Sequence, residues 1–505
     1  MSDPLPPVLV VLGHPRGRDS LCGALAEAYA EGVRDGGGQA EVLDLSRLSF
    51  DADVKLADPA GQALEPDLVE ARRLVERAGH LVFVYPNWWG TMPARLKGFL
   101  DRLLVPGFAF RRTTAGTGYE GLLKGRTAEL LVTMDTPAPV YRLLQGAPGH
   151  RAMARSTLRL CGVDTLRISR FGVVETADAD RRRHFLSRAA GLGRSCGAAR
   201  RRGEGRAKGL AWLKALRLQF YPMTFLAYLL GARLAAGDMG LDWPRVMLGY
   251  LAIFAAEAAT VFTNDVYDRE SDVRNRHWSP FTGGSRVLAD GALSRGELLA
   301  GAVAGVAVSV LATAVLMAGA EHKAVLGGWV LVLLVLALGY TMPPLRLSHR
   351  TLGELDVAFT HAFAVLFLGW LVAGGDPWAA VPWVAALPVA LSILPSITLS
   401  GVPDIAADRA AGKMTIPARF GLRAAYGFAA ATAVLAVVAA ASVAAASGLP
   451  GYGPLAAVAA VHAALFVRAL WRGLPADDEP RRIDRLMVWS LTFVIWFVAV
   501  PLTAL

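Results

Sequence analysis

The chain has 505 residues, 54% of them hydrophobic, with a formal charge of +10 and a mean hydropathy of +0.40. That length exceeds one ordinary domain, and the hydropathy excludes a protein that is water-soluble throughout, because the apolar excess lies after about residue 210. The three cysteines, Cys22, Cys161 and Cys196, have neither metal-ligand spacing nor an obvious pairing, which fits a reducing compartment without a disulfide framework.

The opening MSDPLPPVLVVLGHP has no basic n-region, and its short apolar run is expected to be a buried strand and not a secretory signal, which puts the first domain in the cytoplasm. Strands are expected at 8–12, 40–45, 81–85, 128–134 and 165–171, alternating with helical patterns of which the first starts near Ser20. This alternation predicts an α/β doubly wound fold with a five-stranded parallel sheet. Ligands in such sheets sit beyond the carboxyl ends of the strands.

Two loops at those ends carry chemistry. After the first strand, Gly13-His14-Pro15 leads to Ser20 and a helix N-terminus, where amides and dipole suit a phosphate. The run is not GxGxxG, which disfavours a nicotinamide Rossmann domain. After the third strand, Tyr85-Pro86-Asn87-Trp88-Trp89-Gly90-Thr91-Met92-Pro93 offers aromatic faces and backbone donors to a flat conjugated ring, although paired tryptophans also serve as core plugs.

With Lys97-Gly98-Phe99-Leu100-Asp101-Arg102 and Gly107-Phe108-Ala109-Phe110, these loops resemble the flavodoxin-like NAD(P)H:quinone oxidoreductase family over about residues 5–195. The resemblance implies a bound flavin, FMN or FAD, with NAD(P)H as reductant and a quinone as acceptor. It places the flavin phosphates near His14, Ser20, Leu21 and Cys22, and the isoalloxazine against Pro86, Asn87, Trp88, Trp89, Gly90 and the loop that starts at Thr133. That loop departs from the family's Thr-x-Gly-Gly form, reading Thr133-Met134-Asp135-Thr136-Pro137. A degenerate domain kept as a scaffold would share the fold.

Residues 196–214 read as a flexible basic linker. From Arg194 to Arg217 eight basic residues face the single acid Glu204, with no aromatic residue in the arginine run itself. Such a run suits anionic membrane lipid better than nucleic acid.

From residue 215 onward nine apolar stretches of spanning length are expected, at 215–236, 244–264, 297–319, 324–341, 355–374, 379–403, 421–447, 454–471 and 485–504. With a cytoplasmic N-terminus the inside loops and their flanks carry fifteen lysines and arginines, Arg276, Arg481 and Arg482 among them, against Arg233, Arg245 and Lys323 on the other side. That asymmetry predicts a multi-pass protein of the cell inner membrane. No oligomeric state follows from the sequence.

Two acidic clusters fall at cytoplasmic helix ends: Asn264-Asp265-Val266-Tyr267-Asp268-Arg269-Glu270-Ser271-Asp272, and Asp404-Ile405-Ala406-Ala407-Asp408. At spacings of three and four, Asp265, Asp268 and Asp272 share a helix face, as do Asp404 and Asp408. Carboxylates so placed repel unless a cation lies between them, and hard oxygen ligands completed by substrate phosphates are what Mg²⁺ accepts. A solvated acidic helix end is the plain alternative for either cluster alone. Lys413, then Arg350, with Arg269 and Arg276, are the candidate cations for a diphosphate, or else topology-setting loop charges.

NDVYDRESD matches the NDxxDxxxD signature of the UbiA superfamily, DIAADRAAGKMTIPARFG looks like its second motif, and GYTMPPLRLSHRTLGEL resembles the segment between its spans four and five. The resemblance covers about residues 210–505. It implies an all-α bundle of nine transmembrane helices, ionisation of a prenyl diphosphate with Mg²⁺, and transfer to an acceptor that is usually aromatic. Ser400, Gly401 and Pro403 depart from the Asn and Arg that many relatives carry before the second motif.

Glu257 lies seven residues before Asn264 inside the second span, as a candidate catalytic acid that stabilises a cation, takes the ring proton or bonds a neighbouring helix. Gly283 and Gly284 sit in a glycine-rich stretch that serves as a lid over the diphosphate or as a plain loop. The joint expectation is a bifunctional membrane enzyme, prenyltransferase and NAD(P)H quinone oxidoreductase. The rivals are a terpene cyclase of the same fold and a membrane-tethered quinone reductase.

Overall fold

The computed structural model describes residues 7–112, 118–275, 277, 279, 281–474 and 483–505. Arg276, Arg481 and Arg482 lie outside the described residues. The chain forms two compact units, Met1–Arg206 and Ala207–Leu505.

The first unit holds strands β1 (Val8–Leu12), β2 (Ala40–Asp44), β3 (His80–Pro86), β4 (Phe110–Arg112), β5 (Tyr119–Gly121), β6 (Thr127–Thr133) and β7 (Asp164–Phe171). Five make a parallel sheet in the order β2-β1-β3-β6-β7, and β4 with β5 a separate antiparallel pair. β1, β3 and β6 are buried along their whole length. Central parallel strands are covered on both faces, so they read as continuous apolar runs without alternation. Edge strand β2 instead exposes Glu41. The register pairs Leu12 with Val84 and Pro86 with Thr133, so the loops after β1, β3 and β6 emerge on one edge of the sheet. The helix Leu21–Asp35 is capped by Ser20, whose hydroxyl accepts from the Gly23 amide at 3.0 Å.

The stretch expected as a flexible linker is helical, Cys196–Leu216. Alanine, leucine, lysine and arginine favour helix strongly enough to outweigh its glycines. Lys208 and Lys214 pair with Glu297 at 2.6 Å and Asp290 at 3.4 Å, and so are not reserved for lipid.

In the second unit a helix lies at each of the nine expected positions, but among the described residues seven are long and apolar enough to cross a membrane: Trp243–Tyr267, Arg295–Ala318, Gly353–Val372, Val381–Ala410, Leu422–Ser447, Tyr452–Gly473 and Asp484–Thr503. The expected count of nine is corrected to that extent. Tyr221–Ala236 has 16 residues and Lys323–Gly339 has 17, about 24–26 Å at 1.5 Å per residue against a ~30 Å core. The first is shortened because Leu216 ends the preceding helix and Arg217 turns at φ 55°. Close packing uses small residues: a Cβ at Gly231 or Gly369 would collide with the backbone of Leu366 or Tyr228. Phe359–Ala364 forms a π-helical turn within Gly353–Val372.

Candidate functional site

The second unit encloses a cavity of about 270 Å³. Ile253, Glu257, Val261 and Asp265, one stripe of the Trp243–Tyr267 helix, all line it, so it runs about 18 Å along that helix. Its acidic end is built by three segments. Asp265 accepts from the Ser285 amide at 3.2 Å and from the Ser285 hydroxyl. Asp408 accepts from the Ser271 hydroxyl at 2.6 Å, and Asp404 from the Asn275 amide. Lys413 Nζ lies 2.8 Å from Asp268 Oδ2. Asp272 sits against Gly284, where φ is +70° and a Cβ would run into the carboxylate. A glycine is therefore required there on both counts.

Burial, and next the Asp268 charge, push the Asp272 carboxyl up to about 7. Burial alone would lower the Lys413 ammonium, but Asp268 and Asp408 hold it well above the usual lysine value. Such a cluster is short of positive charge.

Glu257 faces the same cavity further along the helix, with His361 Nε2 3.8 Å from its Oε1.

In the first unit the three loops are held by one another. The Asn87 amide donates to the Thr133 carbonyl at 2.7 Å. Trp88 and Thr91 exchange amide hydrogen bonds at 2.9 and 3.0 Å, leaving Trp88 and Trp89 exposed on the turn. His14 packs edge-on to Trp88 at 5.7 Å. At the start of the Leu21–Asp35 helix Ser20 takes up the Gly23 and Ala24 amides, which leaves those of Leu21 and Cys22 at the open end. Asp135 Oδ1 accepts from Val174 and Glu175 amides at 2.9 and 2.6 Å, which pins the loop after β6.

Residues 224–498 match the family model of the UbiA prenyltransferase family, and residues 6–190 match that of the flavodoxin-like fold. The chain belongs to the UbiA prenyltransferase family. Its N-terminal domain is of the flavodoxin-like NAD(P)H quinone oxidoreductase type. That domain is 34% identical to an FMN-dependent NADH:quinone oxidoreductase of Ruegeria pomeroyi, over 25% of this chain and 69% of the relative. It is 29% identical to the ribosyldihydronicotinamide dehydrogenase [quinone] of Mus musculus, over 35% of this chain and 85% of the relative. A UbiA homologue from Archaeoglobus fulgidus, solved bound to GPP and Mg²⁺, aligns at 17% identity with a TM-score of 0.44, over 58% of this chain and 99% of that one.

In the UbiA domain Asn264, Asp265, Asp268, Asp272, Asp404, Asp408, Lys413 and Glu257 line one cavity. Arg269 and Arg350 are exposed and not among its lining residues, and Arg350 donates to the Pro344 carbonyl at 2.9 Å. Arg217 lines the cavity instead, a residue that reads in sequence as one more linker charge. Asn264 is committed through Oδ1, which accepts from the Thr341 hydroxyl at 2.7 Å.

The donor set fits Mg²⁺: carboxylate oxygens from two helix ends, none of them bound in a bidentate ion pair. Among the described residues the one group of three metal-capable side chains with ligand atoms within 4.8 Å is His80, Glu129 and Cys196, in the other unit. There Arg167 already holds both oxygens of Glu129, at 2.7 and 2.9 Å. The aspartates are spaced more widely, as suits ions that a diphosphate helps to ligate and not an all-protein cage.

The flavodoxin-like domain offers open helix-start amides and an aromatic turn, which fit a flavin's phosphate and ring. Two candidate side chains point elsewhere: the Cys22 sulfur and the Thr133 hydroxyl lie 3.3 Å apart in the core, and burial pushes the thiol up to about 12. Their backbone groups are what the loops present. The sequence reading missed Tyr141, whose hydroxyl donates to the Gly90 carbonyl at 2.9 Å and accepts from the Gly149 amide at 3.1 Å, with His150 packed edge-on to its ring. No local pattern marks these residues. His361 was also missed, although a lone histidine in the apolar run FTHAFAVLF is a signal that could have found it.

Proposed function

We propose that the membrane domain ionises an allylic prenyl diphosphate with Mg²⁺ and alkylates a quinol-like aromatic ring, while the flavodoxin-like domain reduces a quinone with NAD(P)H and a bound flavin. The observation that carries this reading is the convergence of five aspartates and Lys413 on one cavity that continues between apolar walls. The FMN-dependent relative favours FMN over FAD. The charge asymmetry of the loops supports an inner-membrane protein with both acidic clusters and the soluble domain on the cytoplasmic side.

Mg²⁺, when bound, neutralises the diphosphate leaving group. The five carboxylates would hold it, and hydrogen bonds from Ser271, Asn275, Ser285 and Thr415 fix the orientation of three of them, Asp408, Asp404 and Asp265. Lys413 and Arg217 add positive charge toward the diphosphate. Ile253, Val261, Leu333, Val365 and Ile393 line the cavity with apolar groups, which excludes water from the allylic cation. The C–O bond pair leaves with the diphosphate, and a ring carbon supplies the pair for the new C–C bond. That carbon must be electron-rich, which is why quinone reduction in the same chain is useful to the transfer.

The test is product analysis in detergent with geranyl diphosphate, Mg²⁺ and 1,4-naphthoquinol. A geranylated naphthoquinol, formed only with Mg²⁺, is expected. Pyrophosphate release with an acceptor-free hydrocarbon product would favour a cyclase. No release at all would favour a tethered reductase.

A further inference from the structure

Glu257 stands in the middle of a membrane-spanning helix with most of its side chain covered, 11% exposed. Its Oε1 lies 3.4 Å from the Thr224 hydroxyl and 3.8 Å from His361 Nε2, and its Oε2 is buried with no hydrogen-bond partner. His361 Nδ1 lies 3.1 Å from both the Val357 carbonyl and the Thr360 hydroxyl, and its Nε2 is turned toward the carboxylate. His361 and Thr360 sit on the π-helical turn, and both line the cavity. Such turns concentrate where a side chain has to be re-aimed for function. An orphaned carboxylate oxygen in an apolar span is costly unless something donates to it.

We infer that Glu257 Oε2 receives a ring hydroxyl of the acceptor, so that this cavity selects acceptors with a free phenolic hydroxyl, and that His361 positions the carboxylate. This rests on the prenyl-transfer reading above. Two features favour a hydroxylated ring over other occupants. A prenyl tail has no donor and would leave Oε2 uncompensated. Glu257 also precedes Asp265 by eight residues, about 12 Å along the helix axis, the reach of a diphosphate, the first prenyl carbon and one hydroxylated ring laid end to end.

The proton ledger closes without another reagent. The hydroxyl proton moves to Glu257 Oε2 as the oxygen lone pair drives the ring carbon onto the first prenyl carbon. The C–O bond pair departs with the diphosphate. The ring C–H proton is lost to the departing diphosphate on rearomatisation, and Glu257 returns its proton to the phenolate oxygen.

The experiment uses the full chain in detergent with Mg²⁺ and geranyl diphosphate, and compares 1,4-naphthoquinol with 1,4-dimethoxynaphthalene. Wild type should prefer the quinol by at least about tenfold, and Glu257→Gln should lower that preference about tenfold while the KM for geranyl diphosphate stays put. His361→Ala should lower kcat on the quinol, with His361→Gln restoring part of it. Unchanged Mg²⁺-dependent binding of geranyl diphosphate establishes that each variant is folded. Equal wild-type rates on quinol and ether, or an equal loss on both in Glu257→Gln, would overturn the inference and leave prenyl transfer standing. Wild-type transfer to neither acceptor would remove both.

Discussion

Asp268 and Lys413 form an ion pair at the acidic end of the cavity, 2.8 Å apart, and an incoming diphosphate would compete for that lysine. Asp268→Ala or Asp404→Ala should therefore abolish prenyl transfer while the chain still inserts in membranes, because each removes leaving-group stabilisation of several kcal/mol. Turnover near wild type at saturating Mg²⁺ in either variant would refute the assignment. Lys413→Gln and Arg350→Gln make a sharper contrast. The first should cost about a hundredfold in kcat/KM and the second only a few-fold, since Arg350 is exposed and bonded to Pro344. Both read in the sequence as loop cations on the side of the acidic motifs, and only their placement in the fold separates them.

In the flavodoxin-like unit His80 is fully buried, with Nδ1 2.7 Å from the Thr127 hydroxyl. Burial, then Arg200 and Arg167, lower it to about 3. The folded state refuses a proton that the unfolded chain takes up from pH 6.5 downward. Stability is thus complete above pH 6.5 and lost as pH falls toward 3, on the order of 3 kcal/mol by pH 4. His80→Gln should flatten the acid limb of urea midpoints measured on the flavodoxin-like domain. An unchanged limb would show that His80 does not set it.

At the scale of elements, the strands were legible almost to the residue: 8–12 was expected and Val8–Leu12 observed, 165–171 expected and Asp164–Phe171 observed. Buried parallel strands announce themselves as unbroken apolar runs. Helix lengths in the membrane unit were less legible, because apolarity does not say where backbone turns; Arg217 and the Pro343-Pro344 step end or delay helices that hydropathy would extend. The helical Cys196–Leu216 was hidden by glycines that suggest a coil. The π-helical turn has no sequence signature, so the way it aims His361 was not legible, although a histidine alone in an apolar run was itself a signal. The loop at Gly284 was read as either lid or connector. Its contact with Asp272 implies that Gly284→Ala, strained at φ +70°, should displace that carboxylate and raise the Mg²⁺ concentration for half-maximal transfer severalfold. A wild-type Mg²⁺ requirement in this variant would make the loop a mere connector.

At the scale of the whole molecule, composition alone sets a mixed first part against an apolar second part, and the two compact units divide inside the basic stretch, at Arg206 and Ala207. The acidic motifs were legible because their spacing follows the helical repeat, and one cavity collects all of them. What no stretch of sequence states is why a domain of the quinone oxidoreductase type and a UbiA-family domain share a chain. On the present account the first supplies the electron-rich ring that the second alkylates. The decisive measurement is prenylation of an acceptor supplied as the oxidised quinone, in liposomes at low enzyme density, with geranyl diphosphate and Mg²⁺ present. The intact chain should form product only when NAD(P)H is added, and faster than residues 1–206 and 207–505 mixed as separate proteins at equal concentration. Product formation independent of NAD(P)H, or equal rates for the intact chain and the separated halves, would contradict the coupling.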